Sequence, residues 1–404
     1  MKTDVLVLGA GPAGLAAATV LKNEGVADVL IVDRADATGG PARKMSHKGY
    51  HGGVMRRKVT GVVYAARLSH AAESAGVRLE LGASWNLVPG SPLEARSDDG
   101  RTIEARAIVL ATGCRERPCR DRDAYGCART GVITSGQLQE LGSNEDGVVG
   151  RSAVVVGSEP SSLAAVRALV ARKASVKALV AEGLAVSLPE ALATLSPRRT
   201  PFKSGRVIEI YGRDRPEGVK ILSPKDGSAT RVPCDTVVFS GDWVPDVKAL
   251  RDLDVDLDKG TGGPRVDAGM STSVEGLFAA GGVVHGGASA RLAEREGQVA
   301  GRSALAHLSG SHWPRGGRLT IECEGPIAWV SPGVFFPDRH KSHPPCMLGA
   351  AEGRGLALVE VTQDGHTLYR VRRRVVPGRF IPLPSVWTGS ANPRGGPVRV
   401  SVRG

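Results

Sequence analysis

The sequence predicts an α/β fold class, with two doubly wound parallel sheets in tandem followed by a small antiparallel β domain. Two segments have the order strand, glycine-containing turn, helix and strand, the first within residues 5–32 and the second within residues 153–180. A helix that joins two neighbouring apolar strands is the usual connection of a parallel sheet. Residues 310–404 instead carry short β-type runs broken by Pro and Gly, which favour antiparallel pairing.

Length and composition indicate a globular protein of two or three domains. The chain has 404 residues, of which 41% are hydrophobic and 23% are charged, with Gly at 53 positions. These values exclude a disordered chain, a collagen-like repeat and a small disulfide-stapled fold. The sequence has neither an apolar run long enough to span a membrane nor a secretory-type segment after Met1, so we expect a cytoplasmic protein that does not bind membranes.

Positive charge is concentrated near the C-terminus. The net charge is +12, and residues 310–404 contribute +7 of it, with 13 Lys or Arg against 6 Asp or Glu. Because no nucleic-acid motif and no interleaved aromatic residues accompany this charge, we expect no nucleic-acid partner, and an acidic partner stays open.

The cysteines and histidines give no clear redox or metal motif. Six Cys occur without a Cys-x-x-Cys pair, which argues against a dithiol centre and predicts ordinary thiols. Cys323, His340, His343 and Cys346 have donor types suited to zinc, but they lie in a Pro-rich stretch that a polar loop also explains. We therefore predict no metal.

The turn after the first strand carries the pattern G-x-G-x-x-G, formed by Gly9, Gly11 and Gly14, with Pro12 and Ala13 between the last two. The first glycine permits a tight turn, the second lets a pyrophosphate approach the backbone, and the third lets helix and strand pack closely. The N-terminus of the following helix then faces the phosphates. This pattern predicts a Rossmann-like dinucleotide site.

Two residues at the end of the second strand extend the site. Asp33 lies 22 residues after Gly11, where its carboxylate is placed to accept hydrogen bonds from an adenosine ribose, and Arg34 is placed to lie along the adenine. The fingerprint is thereby complete, but by itself it does not distinguish NAD from FAD.

Further motifs resemble those of the two-dinucleotide-binding-domain flavoproteins, the FAD/NAD(P)-dependent pyridine nucleotide-disulfide oxidoreductase-like family. They are Ala111-Thr112-Gly113 after a central strand, the second nucleotide-type fold, and the run from Gly276 to Gly282. The resemblance covers residues 1–309. It implies that the first fold binds FAD, the second binds NAD(P)H, and the late run covers the flavin. Its implied flavin-binding residues include Thr112, Gly113, Gly281, Gly282 and Ala290.

The resemblance also divides the chain. It implies a discontinuous FAD-binding domain of residues 1–124 and 248–309, an NAD(P)-binding-like domain of residues 125–247, and a basic β domain of residues 310–404.

Within this family, residues 113–118, 130–139 and 296–301 resemble the FAD subunits of heteromeric sarcosine, opine and amino-acid oxidases and of hydrogen cyanide synthase. The narrower resemblance implies oxidation of a carbon–nitrogen bond in a small amine or amino acid, and it implies a partner in the form of a second protein subunit. Two alternatives stay open. One is an NAD(P)H-dependent flavin reductase or electron-transfer subunit, and the other is a non-catalytic scaffold that keeps the fold.

Two positions depart from the family pattern. Position 282 is Gly where the family usually has Asp or Asn, so we expect backbone amides and the next helix to replace that contact. The second fold keeps only the first glycine of its fingerprint, Gly157, and Glu159 would repel a pyrophosphate. NAD(P)H binding is therefore doubtful, and the second domain is predicted to be vestigial.

The loop of residues 39–51 is expected to run toward the flavin. It contains no cysteine, which argues against disulfide reduction. Gly40, Arg43 and Lys44 are predicted to lie near the phosphates, and His47 and His51 are candidate acids or bases. The alternative for both histidines is a solvated position in a polar loop.

Overall fold

The structure is a computed structural model that describes every residue except 53–54, 91–92, 123, 127–128, 142–147, 158, 182–199, 315–316, 337–345 and 404. His340 and His343 lie outside the described residues, as does Cys127, one of the six cysteines. The side chain of His51 lies outside them as well.

Helices and strands alternate over the first three quarters of the chain. The helices are α1 (Pro12–Asn23), α2 (Gly61–Ser74), α3 (Ser135–Glu140), α4 (Pro160–Ala171), α5 (Gly282–His285) and α6 (Ala290–Leu308). The strands of this part are β1 (Lys2–Leu8), β2 (Val29–Asp33), β3 (Lys48–Gly52), β4 (Met55–Thr60), β5 (Arg78–Leu81), β6 (Trp85–Val88), β7 (Leu93–Ser97), β8 (Thr102–Leu110), β9 (Cys114–Glu116), β10 (Val132–Thr134), β11 (Ser152–Val156), β12 (Ser175–Ala181), β13 (Phe202–Ser204), β14 (Arg206–Tyr211), β15 (Gly218–Leu222), β16 (Ala229–Pro233), β17 (Thr236–Phe239), β18 (Trp243–Pro245) and β19 (Leu277–Ala279).

The C-terminal part is built from strands. They are β20 (Leu319–Cys323), β21 (Ile327–Ser331), β22 (Val334–Phe335), β23 (Cys346–Ala350), β24 (Gly355–Gln363), β25 (His366–Val375), β26 (Ile381–Leu383) and β27 (Val398–Arg403). Short 3-10 helices occur at Gly40–Lys44, Cys119–Asp121, Lys248–Leu250 and Val386–Ser390.

The first sheet is parallel at its centre. Its order is β5–β2–β1–β8–β7–β6, with β19 also paired to β8, and only β6 and β7 run antiparallel to their neighbours. Three successive residues of β1, Val5, Leu6 and Val7, are fully buried. Successive side chains of a strand point to opposite faces, so both faces of this sheet are covered, which explains its near-continuous apolar strands.

The second sheet has the order β10–β17–β11–β12–β13 with every pair parallel, and an antiparallel sheet β14–β15–β16 is inserted in the chain between β13 and β17. Two parallel sheets crossed by helices confirm the α/β fold class. The domain limits at residues 124, 247 and 309 stay predictions.

The C-terminal sheet differs in one respect from the prediction of antiparallel pairing. Its order is β22–β20–β27–β24–β25, and the pair β20–β27 is parallel, with Ile321 opposite Val398. The predicted antiparallel β domain is confirmed at the other described pairs of these strands, and this one pair is the exception. The reason is that the last strand inserts beside the first, and nothing in the local pattern of either strand records that long connection.

Helices α1 and α6 approach each other closely because α6 has no side chains at the contact. A Cβ on Gly297 would lie 2.0 Å from the carbonyl oxygen of Ala13, and a Cβ on Gly301 would lie 2.8 Å from that of Ala17. The two glycines are one helical turn apart, so they form one strip on the face of α6. This contact holds the middle of α6 against the first two turns of α1.

No helix in the described part of the chain is both long and apolar enough to cross a membrane.

Replacement of Gly297 by Ala should force α1 and α6 apart. We expect Gly297→Ala to lower the unfolding free energy by about 1–3 kcal/mol, as overpacking does, measured as a lower midpoint in thermal or urea unfolding. Gly389→Ala is the matched control, since nothing lies within 4 Å of a Cβ at Gly389. Equal unfolding free energies of the two variants would contradict the close contact between α1 and α6.

Candidate functional site

The first glycine turn leaves an open crevice. Gly9 adopts φ +114°, and its hypothetical Cβ would lie 2.3 Å from the carbonyl oxygen of Ala111, while a Cβ on Gly14 would lie 1.9 Å from the carbonyl oxygen of Gly9. These two glycines are therefore required for packing. Gly11 is different, because nothing lies within 4 Å of a Cβ there, and as the N-cap of α1 it offers no side chain to the helix amides. The crevice therefore has room for a phosphate at a helix N-terminus.

Asp33 is fixed against this turn. Its Oδ2 accepts a hydrogen bond from the Ala10 amide at 2.6 Å, and its Oδ1 accepts one from the Ala35 amide at 2.8 Å. A carboxylate has about four lone-pair sites, so acceptor capacity is left for a ribose diol. The predicted ribose contact fits this geometry.

Arg34 pairs with another domain segment. Its guanidinium lies 2.6 Å from the carboxylate of Asp246, a side chain that is only 5% exposed. The backbone of Asp246 also accepts a hydrogen bond from Thr112 Oγ1 and donates one to the carbonyl of Gly113. Arg34, Thr112 and Gly113 are thus brought together at the carboxyl ends of β2 and β8, as expected for a ligand site in a parallel sheet.

The loop after β2 lies beside the glycine turn. A Cβ on Gly40 would be 3.2 Å from Cα of Gly11. Arg43 donates to the carbonyl of Ala37, and Lys44 forms an ion pair of 2.7 Å with Glu140 on α3. The loop therefore contacts both the first glycine turn, through Gly40, and helix α3, through Lys44.

The two candidate histidines have different outcomes. His47 lies 5.7 Å from Tyr50 between ring centroids, and burial together with the Arg167 charge lowers its pKa. A neutral ring at pH 7 is thereby favoured, which suits a base better than an acid. The side chain of His51 lies outside the described residues, so its predicted role is untested.

The late motif is held by a glutamate that sequence reasoning did not single out. Glu296 accepts a hydrogen bond from the Gly281 amide at 2.9 Å, and its other oxygen lies 2.8 Å from Nε2 of His285. His285 is fully buried; although burial disfavours its charged form, the Glu296 carboxylate raises its pKa. The only sequence signal was the position of Glu296 beside Gly297 in the Glu-Gly-Gln run.

The start of α6 is fixed in a similar way. The Tyr64 hydroxyl, which has one proton to donate, lies 2.7 Å from the Glu294 carboxylate and 3.2 Å from the carbonyl oxygen of Ala290. Ser289 caps the helix by accepting from the Leu292 amide. Ala290 is therefore the first residue of a helix whose N-terminus is rigidly placed near the late motif.

Cys114 explains the glycine at position 282. A Cβ on Gly282 would lie 3.0 Å from Cys114 Sγ and 3.3 Å from the Cys114 amide nitrogen. The thiol thus fills the space that the usual Asp side chain would need. Burial raises the pKa of Cys114 to about 11, so the group is a neutral thiol at pH 7.

The second glycine turn is covered by a carboxylate. A Cβ on Gly157 would lie 3.1 Å from Glu159 Oε2, and a Cβ on Gly241 would lie 2.1 Å from Glu159 Oε1. Glu159 therefore lies over the place where this fold holds a pyrophosphate. Gly378 of the C-terminal domain lies against the same side chain, since its Cβ would be 3.0 Å from Glu159 Cγ.

Aromatic residues of the C-terminal domain cover the His285 ring. Trp329 stacks on it with 5.6 Å between centroids and 9° between planes, and Phe380 meets it edge-on at 5.0 Å. One loop of this domain, residues 376–380, thus reaches both the second glycine turn and the late motif.

The prediction of ordinary thiols was wrong at one position. Cys119 is disulfide-bonded, whereas Cys114, Cys234, Cys323 and Cys346 are free thiols. Sequence spacing did not reveal this bond, because the number of residues between two cysteines does not fix the distance between their Cα atoms. Among the described residues, no group of three His, Cys, Asp or Glu side chains is placed to hold a metal.

Comparison with known proteins decides the family. The model of the pyridine nucleotide-disulphide oxidoreductases matches residues 3–297. The chain belongs to this family. It is an FAD-dependent oxidoreductase, and the second nucleotide-type fold is the one that binds NAD(P)H in family members. Membership favours an enzyme over the non-catalytic scaffold.

Curated relatives of this family member differ in kind. The chain is 26% identical to a thioredoxin reductase of Listeria monocytogenes over 69% of this chain and 85% of that protein. It is 25% identical to a ferredoxin–NADP reductase of Ignicoccus hospitalis over 77% of this chain and 99% of that protein. An opine oxidase subunit of Rhizobium meliloti is 31% identical, but over only 39% of this chain and 34% of that protein.

A solved thioredoxin reductase of T. acidophilum has the same fold, with a TM-score of 0.63, 22% identity, and coverage of 76% of this chain and 98% of that one. The relatives favour the reductase alternative over carbon–nitrogen oxidation, and the resemblance to the heteromeric oxidase branch stays a prediction.

Exchange of Gly282 for Asp should be harmful only while Cys114 is present. We expect Gly282→Asp to weaken FAD binding by roughly tenfold, because the new side chain meets the thiol in a packed site. The double variant Cys114→Ala, Gly282→Asp should bind FAD at least as tightly as the unmodified protein. FAD fluorescence titration measures both, with Cys114→Ala alone as control; two equally weakened Asp variants would refute the steric account.

Proposed function

We propose that this family member is an NAD(P)H-dependent FAD reductase that passes electrons to a protein partner without a Cys-x-x-Cys dithiol. One observation carries the proposal: the open first crevice stands beside a complete second nucleotide-type sheet, in a sequence without a Cys-x-x-Cys motif. The similarity to a ferredoxin–NADP reductase along 99% of that protein supports it.

FAD is proposed to bind in the crevice of the first sheet, within residues 1–124 and 248–309. Gly11 and the N-terminus of α1 would hold the diphosphate, and Asp33 the adenosine ribose. Gly113 fits the role of a flavin neighbour, because nothing lies within 4 Å of a Cβ there. When bound, FAD supplies the two-electron chemistry of the reaction.

The residues of the chain then position and enclose that group. Glu296 holds the Gly281 turn through its amide, and Tyr64 holds the carbonyl of Ala290 at the start of α6. Trp329 and Phe380 cover His285 and exclude water from this side. In a rigid site from which water is excluded, the low dielectric constant strengthens each polar contact to a cofactor.

NAD(P)H is proposed to enter at the second glycine turn, against one unfavourable charge. The Glu159 carboxylate covers that turn, and Arg122, whose guanidinium donates to the carbonyl of Gly241, stands near it. A pyrophosphate at this turn would be attracted by the Arg122 guanidinium and repelled by the Glu159 carboxylate. The proposal therefore includes weak binding of the nicotinamide nucleotide.

A second candidate function is oxidation of a carbon–nitrogen bond in an amine or amino acid. In this case the chain would be one subunit of a heteromeric enzyme. The same Glu159 favours it, because a covered second turn suits an enzyme whose donor is not a nicotinamide. The partial similarity to the opine oxidase of Rhizobium meliloti supports it as well.

Anaerobic reduction of the bound flavin distinguishes the two functions. We expect NADH or NADPH at millimolar concentration to bleach the flavin absorbance, whereas amines, amino acids and opines leave it unchanged. The assay follows the absorbance near 450 nm after each addition. Bleaching by a carbon–nitrogen donor and by neither nicotinamide would replace the proposal with the second candidate.

Removal of the Glu159 charge should improve nicotinamide binding. We expect Glu159→Gln to lower the apparent Kd for NAD(P)H by roughly tenfold, since a repulsion is lost and Arg122 becomes available to a phosphate. Stopped-flow reduction at several nucleotide concentrations gives this constant, with Glu217→Gln, an exposed change in the same region, as control. An unchanged Kd would show that the pyrophosphate does not bind at this turn.

A further inference from the structure

The C-terminal five-stranded sheet has one covered and one exposed face. Residues of β24 that point inward, Ala357, Val359 and Val361, are buried in the domain core. The alternate residues point the other way, and Leu356 among them is 70% exposed. Leu358 on the same side is half-buried and Glu360 is buried, so this face is exposed at its Leu356 end.

Arginines surround this exposed face on two strands. On β25 they occupy every second position, at Arg370, Arg372 and Arg374, and on β27 they are Arg399 and Arg403. All five are exposed. Since a strand has a two-residue repeat, the members on each strand share one side. We call this surface, with Leu356 and Leu358 at its centre, the basic face.

The strand register confirms that these residues are neighbours. Arg374 lies opposite Leu356, Arg372 lies opposite Leu358, and Arg403 faces Leu358 from the other side. The leucines thus form an apolar centre with guanidinium groups on both flanks. An apolar centre with a charged rim is the usual arrangement of a protein interface.

Carboxylates are built into the face. The Glu360 carboxylate forms ion pairs with Nε of Arg370 at 2.6 Å and with Nε of Arg403 at 2.5 Å. Nε of Arg399 lies 3.6 Å from the Glu322 carboxylate. A surface for nucleic acid would place these negative charges against phosphates, which is unfavourable. A protein partner tolerates them, because its own basic groups or amides can meet them.

Protection of an edge strand explains only part of the pattern. Charged residues on an edge strand prevent pairing with another chain, and β25 is such a strand. That role does not require arginines on β27, which is interior to the sheet, nor does it explain an exposed leucine between them.

The face is directly connected to the cleft of the candidate site. β25 ends at Val375, and Val375 and Val376 are buried, so the chain is anchored where it leaves the sheet. The loop that follows contacts Glu159 through Gly378 and His285 through Phe380. A protein bound at the basic face therefore stands next to the segment that encloses the cleft.

We propose that the basic face is the docking site of an acidic protein partner, one whose contact surface has carboxylates around an apolar centre. This inference rests on the proposed function for the existence of a partner, and on the arginines and leucines for its chemistry.

Binding of a defined acidic protein tests the proposal. The probe is an oxidised plant-type ferredoxin, with a basic cytochrome c as the opposite charge, and the FAD-loaded full chain is immobilised for interferometry. We expect the acidic probe alone to bind, with its Kd weakened about tenfold between about 50 and 300 mM salt. Absence of binding, or binding of both probes alike, would overturn the docking site.

Variants separate charge from apolar contact. The pair Arg372→Gln and Arg374→Gln should lower the association rate about tenfold, and Leu356→Gln should mainly raise the dissociation rate. Arg251→Gln, an exposed change outside the face, should alter neither rate. Thermal unfolding verifies that each variant is folded, and face variants that bind like the unmodified chain would refute the assignment.

Other occupants give distinct results. Tighter binding of a random DNA duplex than of the acidic protein would replace the partner by nucleic acid. A dimer of the unmodified chain that Leu356→Gln converts to a monomer would make the face a contact between two copies. The binding assay contains no NAD(P)H. If NAD(P)H fails to reduce the flavin in the separate reduction assay, that failure contradicts the proposed function and leaves the binding result intact.

Discussion

The contact between α1 and α6 is the constraint on which the candidate site depends. Gly297 and Gly301 let the backbone of α6 approach Ala13 and Ala17 on the helix that follows the first glycine turn. Glu296 is adjacent in sequence to Gly297 of this contact. The packing of the two helices therefore also positions the Glu296 carboxylate at the Gly281 amide. The position of the late motif beside the crevice is therefore a consequence of packing at residues without side chains.

The first crevice could be predicted from sequence because most of its determinants lie in one short motif. Gly14 is required by a contact within the turn, with the carbonyl of Gly9, whereas Gly9 is required by the carbonyl of Ala111 after β8. Asp33 lies at the end of the adjacent strand. The Glu296–His285 pair could not be predicted, since a buried polar pair has no periodic signature. Cys114 and Gly282 compensate each other across 168 positions, a relation that one sequence cannot reveal.

The fold class was predictable for the same local reason, and the C-terminal topology was not. Apolar strands with glycine turns and helices identify parallel sheets residue by residue. The parallel pair β20–β27 depends instead on where a strand inserts after a long connection. The disulfide at Cys119 likewise reflects three-dimensional proximity, about which the spacing of cysteines carries no information.

The C-terminal domain gives the second glycine turn its unusual character. Glu159 lies between Gly241 of its own sheet and Gly378 of the appended domain, and Arg122 stands near it. Contacts on both sides and the nearby positive charge of Arg122 hold this half-buried carboxylate over the turn. Access of any anion to this turn thus depends on the loop of residues 376–380, whose anchor is the buried end of β25. The second nucleotide-type fold and the C-terminal part of the chain are therefore in contact at this turn.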